Sequence, residues 1–395
     1  MTDDGPEDDG SAVREVDPAA LASRIESGDR ISLLDVRNRD EVDAWQIDGP
    51  GVELVHVPYM RFVSAMATGG VVDLVDPDES YVAVCPRGAE SAEVAAALTE
   101  AGVETANLAG GMEGWARVYR RTRIARDATD ATVYQYRRPA TGCLASVVVS
   151  DGEALVVDPL LAFAGRYADD VAEMGADGAD AAIETVVDTH VHADHFSGLR
   201  AVAGATGATP VLSTGAADRG VTGDVTTVDD GDAITVGDHE LDVLATPGHT
   251  TGSVSLRLDD VVFTGDTLFL DGAPRPDLER GADGARDLAA MLHETLTERL
   301  APLPDDTLVA PGHYVPGRAS GDDDSYTASL GELRDRLAVF SESRETFVDR
   351  VLDSMGPRPA NFERVVAVNL GRESVLDEEA FELELGPNNC AVATE

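Results

Sequence analysis

Apolar positions recur along this chain in two successive rhythms. The first covers residues 13–119. Within it "ISLLDV" (31–36) and "YVAVC" (81–85) are unbroken apolar runs of strand length, the signature of buried parallel strands. Helical stretches separate them. Asp17-Pro18 reads as an N-cap followed by proline at the first helical position, and the helix it starts runs to about Gly28. "SAEVAAALTEAG" (91–102) is amphipathic and closed by glycine, "ETANLAGG" adds a strand and turn, and "MEGWARVY" a last helix. Strand alternating with helix predicts an open α/β sheet.

The second rhythm begins near Thr132. "TVYQYRR", "CLASVVVSD" and "EALVVDP" are strands divided by turns, a helix follows at about 163–174, and then the strand "IETVVDT". "HELDVLATP", "GSVSLRLDD" and "VVFTGD" continue the pattern, with a helix at 284–300 and a final strand and exit loop in "DTLVAPGH". Two sheets flanked by helices are expected. From Ser325 onward the pattern is helical, an appendix of the second domain, with "SGDDDS" (320–325) as a solvated connector. The division is therefore an acidic tail at 1–12, without apolar pattern and expected to be disordered, an α/β domain at 13–125, a two-sheet domain at 130–320, and a helical extension at 321–395.

Charge changes the picture of the surface. The formal net charge is −44, from 74 acidic and 30 basic residues, and every basic residue is arginine. The acids are spread along the chain, which points to a solvated, halophilic surface kept folded by concentrated salt, with a specific acidic face for a cationic partner as the competing reading. No basic patch exists to neutralise phosphates, so nucleic acid is excluded as a partner. Three scattered cysteines do not form a disulfide framework. No signal-like leader and no long apolar segment is present, so a cytoplasmic protein without a membrane partner is expected. The oligomeric state stays open, a homodimer included.

Candidate chemistry concentrates at strand ends. "TVVDTHVHADHFSG" (185–198) places His190, His192, Asp194 and His195 directly after an apolar strand, at the edge where α/β sheets bind ligands. His249 in "TPGHTTGS", Asp266 in "FTGDTLF" and His313 in "VAPGHY" each follow another strand. Four strand ends thus deliver imidazoles and carboxylates, a donor set suited to first-row transition metals. His56, His239 and His293 lack such context and read as surface or structural residues. Separately, "VAVCPRGAES" runs from strand through loop to helix with Cys85 at the turn, where loop amides and a helix N-terminus favour a thiolate.

These motifs carry two resemblances. His190-x-His192-x-Asp194-His195, His249, Asp266 and His313 resemble the motifs of the metallo-β-lactamase superfamily over about residues 132–317, which implies an αββα sandwich with metal at one rim. In its hydrolytic members, such as glyoxalase II, the likeness implies two zinc ions: His190, His192 and His249 on one, Asp194, His195 and His313 on the other, Asp266 bridging, and thioester cleavage by a bridging hydroxide. In the persulfide dioxygenase branch it implies one Fe(II) per chain, held by His190, His249 and Asp266. His192, Asp194, His195 and His313 then stand behind the ligands, with Asp194 and His313 placing water or substrate. "GDTLFLDGAPRPDLERG" (265–281) and "PRPANFERVVAVNLG" (357–371) are similar to segments of that branch, and the likeness puts Arg275 near the thiol substrate. The ligand motifs alone leave iron and zinc open.

Residues 13–119, with "LLDVRNRDEVDAWQIDGPGVELVHVPY" and "NLAGGMEGW" around the cysteine loop, resemble rhodanese domains. That likeness implies that Cys85 carries a persulfide sulfur cradled by Arg87, Gly88 and Ser91. Two departures stand out: Pro86 removes an amide donor, and Glu90 stands where a neutral or basic residue is usual. Cys143 and Cys390 read as structural, with Cys390 placed near the metal site as the alternative. The combined expectation is oxidation of a small thiol persulfide by O2 to sulfite and thiol, coupled to sulfur transfer involving thiosulfate. A zinc thioester hydrolase and a non-oxidising sulfur carrier are the competing readings.

Overall fold

The computed structural model describes residues 13–125, 129–174, 181–316, 318, 320–321 and 323–393. The tail expected at 1–12 lies outside them. The chain divides at Val118/Tyr119 into two compact units. Among the described residues no helix is long and apolar enough to cross a membrane.

The first unit is a parallel sheet of β1 (Glu15–Val16), β2 (Ile31–Asp35), β3 (Val52–His56), β4 (Tyr81–Val84) and β5 (Thr105–Leu108), in the order β1-β5-β4-β2-β3. β2 and β4 are buried at every position, which is why they are apolar throughout. β3 has no fully buried position, and its sequence accordingly carries no apolar run. Helix Pro18–Glu26 starts where the Asp17 carboxylate accepts the N–H groups of Ala19 at 2.9 Å and Ala20 at 3.0 Å. The winding direction reverses between β2 and β4. The carboxyl end of β4, which carries Cys85, thus lies at the kind of switch point where open α/β sheets bind ligands.

The second unit begins with β6 (Arg120–Ile124), β7 (Thr132–Arg138), β8 (Cys143–Ser150), β9 (Glu153–Val157), β10 (Ala182–Val187), β11 (Thr209–Ser213) and β12 (Thr226–Val228), which form one mixed sheet with the edges β12 and β6. Then come β13 (Ala233–Val236), β14 (His239–Ala245), β15 (Val254–Leu258), β16 (Val261–Gly265), β17 (Gly272–Pro274), β18 (Leu308–Pro311), β19 (Ala328–Ser329) and β20 (Ala391–Ala393). β17 pairs only with β20, and the others form a second sheet in the order β13-β14-β15-β16-β18-β19. Val148, Leu155 and Val187 of the first sheet meet Leu241, Leu256 and Phe263 of the second in an apolar interlayer. The outer faces are covered by helices, on one side Ala164–Glu173 and Leu199–Thr206, on the other Gly281–Glu294 and Arg344–Asp353. This is the expected αββα sandwich.

Two boundaries differ from the sequence reading. Residues 120–124, assigned with the first domain, pair antiparallel with β7 from Arg120 opposite Arg137 to Ile124 opposite Val133, so this strand belongs to the second unit. Its charged sequence, RRTRI, hides it. The helix read at 284–300 is α-helical only over Gly281–Glu294 and widens into a π-helical segment over Thr295–Leu300.

The C-terminal extension is stitched into the sandwich rather than hung from it. Glu384 takes the buried Arg138 guanidinium at 2.7 Å on one oxygen and the Phe196 N–H at 2.6 Å on the other. Asn369, at the end of helix Phe362–Asn369, donates to the carbonyls of His192 at 3.0 Å and His195 at 2.9 Å, and accepts the Ser197 N–H at 2.9 Å. The loop carrying four of the candidate ligands is therefore braced from the far end of the sequence.

Candidate metal centre and cysteine loop

Each ligand-type residue leaves a strand at the same rim: His190 after β10, His249 between β14 and β15, Asp266 after β16 and His313 after β18. Donor atoms of His190, His249 and Asp266 all lie within 4.8 Å of one another. Both imidazole Nε2 atoms are 3.9 Å from Asp266 Oδ2. The three residues are 1 % exposed, and among the described residues these three atoms have no hydrogen-bond partner. Buried polar atoms are rarely left so, and three aimed at one point want a cation.

The far sides of the ligands explain their orientation. His249 Nδ1 lies 2.7 Å from the Arg275 carbonyl, so it must carry the proton. His190 Nδ1 lies 3.0 Å from Thr189 Oγ1, whose own proton goes to Asp158 at 2.8 Å. Each Nε2 therefore keeps a lone pair toward the centre. Burial pushes both imidazoles below the ordinary histidine pKa, which keeps them neutral and able to bind metal. Asp266 commits Oδ1 to His313 Nδ1 at 2.6 Å and leaves Oδ2 inward. Gly265 allows the turn: at φ +46° a Cβ there would stand 2.1 Å from Thr189 Oγ1.

A second cluster lies alongside. Donor atoms of Cys143, Asp194, His195 and His313 also come within 4.8 Å of one another. Here most atoms are satisfied by each other. Both His313 nitrogens face carboxylates, Asp266 at 2.6 Å and Asp194 at 2.8 Å, the arrangement of an imidazolium. Asp194 Oδ2 also meets His195 Nδ1 at 3.1 Å and accepts from Asn388 at 2.6 Å, while Asn388 lies 3.1 Å from Cys143 Sγ. Burial opposes charge on His313, but Asp266 and Asp194 hold its pKa well above the ordinary value. Burial likewise opposes ionisation of Cys143, yet His313 and His195 bring the thiol down to about 7. In this cluster Asp194 Oδ1 and His195 Nε2 are without partners among the described residues. His192 turns Nε2 to Asp158 at 3.1 Å and leaves Nδ1 unpartnered, and it groups with Asp158 and Asp188.

Arg275, expected beside the thiol substrate, is 3 % exposed. Its guanidinium is engaged by Asp277 at 2.7 Å and by the carbonyls of Gly356, Pro357 and Asn389. It locks the C-terminal segments against the loop whose carbonyl orients His249. His239 and His293 sit apart from the cluster, bonded to Ser150 and the Glu342 carbonyl, and His56, in the first unit, is bonded to the Arg37 carbonyl. Cys143 was read from the sequence as structural, and Asn388, Asn369, Thr189 and Asp158 were not singled out there. Asp158 left a trace there: an aspartate at a strand's carboxyl edge, followed by proline, and held at φ +51°.

In the first unit Cys85 is buried at the end of β4, ahead of helix Ala89–Glu100. Its Sγ accepts the Gly88 N–H at 3.0 Å, lies 3.1 Å from Ser91 Oγ, and meets Glu90 Oε2 at 3.1 Å. Gly88 has φ +87°, and a Cβ there would press on the Gly110 and Gly111 amides at 3.0 and 3.2 Å. Arg87 points outward to Glu113 at 2.6 Å.

Comparison with known proteins agrees with both resemblances. Residues 138–313 match the metallo-beta-lactamase superfamily and residues 17–118 the rhodanese-like domain. The chain is 32 % identical over 228 residues to the mitochondrial persulfide dioxygenase ETHE1 of Homo sapiens, covering 55 % of this chain and 78 % of that protein. A crystal structure of ETHE1 from Myxococcus xanthus superposes with a TM-score of 0.50 at 32 % identity, covering 65 % of this chain and all of that one. A hydroxyacylglutathione hydrolase of Polaromonas is 40 % identical over a shorter stretch of 166 residues, 41 % of this chain and 57 % of that protein.

Proposed function

Because the chain belongs to the persulfide dioxygenase family of the metallo-β-lactamase superfamily, with a rhodanese-like domain ahead of the metal-binding one, we propose that it oxidises a low-molecular-weight thiol persulfide with O2 to sulfite and the free thiol. The reaction balances with one water: R–S–SH, O2 and H2O give R–SH and sulfurous acid. One Fe(II) per chain, held by His190, His249 and Asp266, would supply open positions for the terminal sulfur and O2 and the redox chemistry between them. The observation that carries this reading is the contrast between the two clusters. One has three inward donor atoms with nothing to bind, and the other is largely closed on itself by hydrogen bonds.

The chain's own groups set the rest. The Arg275 carbonyl and Thr189 fix the ring tautomers, so neither imidazole has to lose a proton on loading. His313, bonded to Asp194 and packed at its edge by Phe269, holds a positive charge beside the centre, where it orients the persulfide or a water. Cys85 carries sulfane sulfur in the rhodanese-like domain, linking persulfide to sulfite and thiosulfate.

Elemental analysis of protein purified in high salt, together with O2 uptake, tests this. Near one iron per chain, O2 consumption with glutathione persulfide, and loss of both on His249→Ala are expected. Two zinc ions per chain with thioester cleavage independent of O2 would instead make this a hydrolase. Activity that survives metal removal but not Cys85→Ser would make it a sulfur carrier.

A further inference from the structure

The sulfur of Cys85 stands in an acidic mouth. Glu90, in the first turn of helix Ala89–Glu100, brings Oε2 to 3.1 Å from Sγ, in line to accept the thiol proton. That hydrogen bond holds the Glu90 carboxyl below the usual carboxylate range, so the acceptor is ionised at neutral pH. Glu93, one turn along, binds the Tyr59 hydroxyl at 2.5 Å, and Glu113 engages Arg87 at 2.6 Å. These contacts bring three carboxylates, Glu90, Glu93 and Glu113, and the Arg87 guanidinium to the loop and the helix that follows it.

Two consequences follow from elementary chemistry. A carboxylate this close to the reacting sulfur repels a dianion such as thiosulfate. A carboxylate that takes the thiol proton can also hand it to a departing thiolate, whereas sulfite leaves without needing one. Building on the reading of Cys85 as a sulfur carrier, we propose that Glu90 is a catalytic residue that makes this loop a thiol–persulfide exchange site, with thiosulfate a poor donor. Cys85 gives its proton to Glu90 and attacks the terminal sulfur of R–S–SH. The Sγ–S bond forms as the donor's S–S bond breaks, and that bond's electron pair leaves on RS⁻, which takes the proton from Glu90. The products are Cys85–S–SH and R–SH, and no outside oxidant is consumed.

The test uses the full chain without O2, so that persulfide is not oxidised, with glutathione persulfide and thiosulfate as the two donors. Loading is read by intact mass as one added sulfur that Cys85→Ser abolishes. Wild-type protein should load from the persulfide at least about tenfold faster than from thiosulfate. Glu90→Gln should slow persulfide loading at least about tenfold through loss of acid–base assistance, while lowering the KM for thiosulfate. Opposite responses to the two donors are beyond the reach of a merely structural defect. Equal loading of the wild type from both donors, or a variant that moves both rates the same way, overturns the proposal. Loading from neither donor in either protein overturns the sulfur-carrier reading beneath it.

Discussion

Thr189 bears no charge, yet its hydroxyl ties His190 to Asp158 and so decides which ring nitrogen faces the centre. Thr189→Val keeps the shape and removes the link. Metal affinity should fall by roughly 10- to 100-fold, the usual cost of losing a partner behind a ligand, measured by competition with a chromophoric chelator. The candidate ligands stand out in the sequence because histidine and aspartate after apolar strands have little other reason to be there. Cys143 and Asn388 do not. A cysteine opening an apolar strand has the signature of core, and an asparagine in a loop that of a turn. Asn388 acquires a role only because the fold closes a separation of 194 residues to reach Asp194.

Among elements, the same logic separates what could be read from what could not. β2, β4 and β8 are continuous apolar runs because both faces are covered. β6, β17 and β20 are short or charged, and only their partners make them strands. The C-terminal helices were readable as helices, but not as braces, since bracing depends on single polar contacts. Glu384→Ala would take the carboxylate away from the buried Arg138 guanidinium and from the Phe196 amide. Its cost should be about 3–5 kcal/mol, read from urea denaturation of the metal-free protein. Asp277 should govern part of the acid stability of this region. Burial raises its carboxyl, but hydrogen bonds from Arg275 and Arg358 outweigh that and hold it below the ordinary value. Its contribution is therefore complete above an ordinary aspartate pKa of about 3.9 and is lost as pH falls through the lower folded value. Asp277→Asn should flatten the fall in urea midpoint between about pH 4 and pH 2.

For the molecule as a whole, a net charge of −44 on 395 residues is the dominant long-range term. Arginines form surface pairs such as Arg286–Asp349 and Arg299–Asp230, but the 74 acidic residues far outnumber the 30 basic ones. Raising salt from about 0.1 M to about 1 M shortens the screening length from about 10 Å to about 3 Å. The melting temperature should rise by several degrees over that range in differential scanning fluorimetry, and a flat response would count against a salt-adapted surface. The brace at Asn369 also bears on how the protein is made. The carbonyl of His195 is fastened by a side chain translated 174 residues later. While the ribosome is still working through that interval, the emerging imidazoles have no fixed cage, and metal captured at that stage is held loosely enough to exchange. The cage is therefore expected to tighten only once the closing helices have been synthesised.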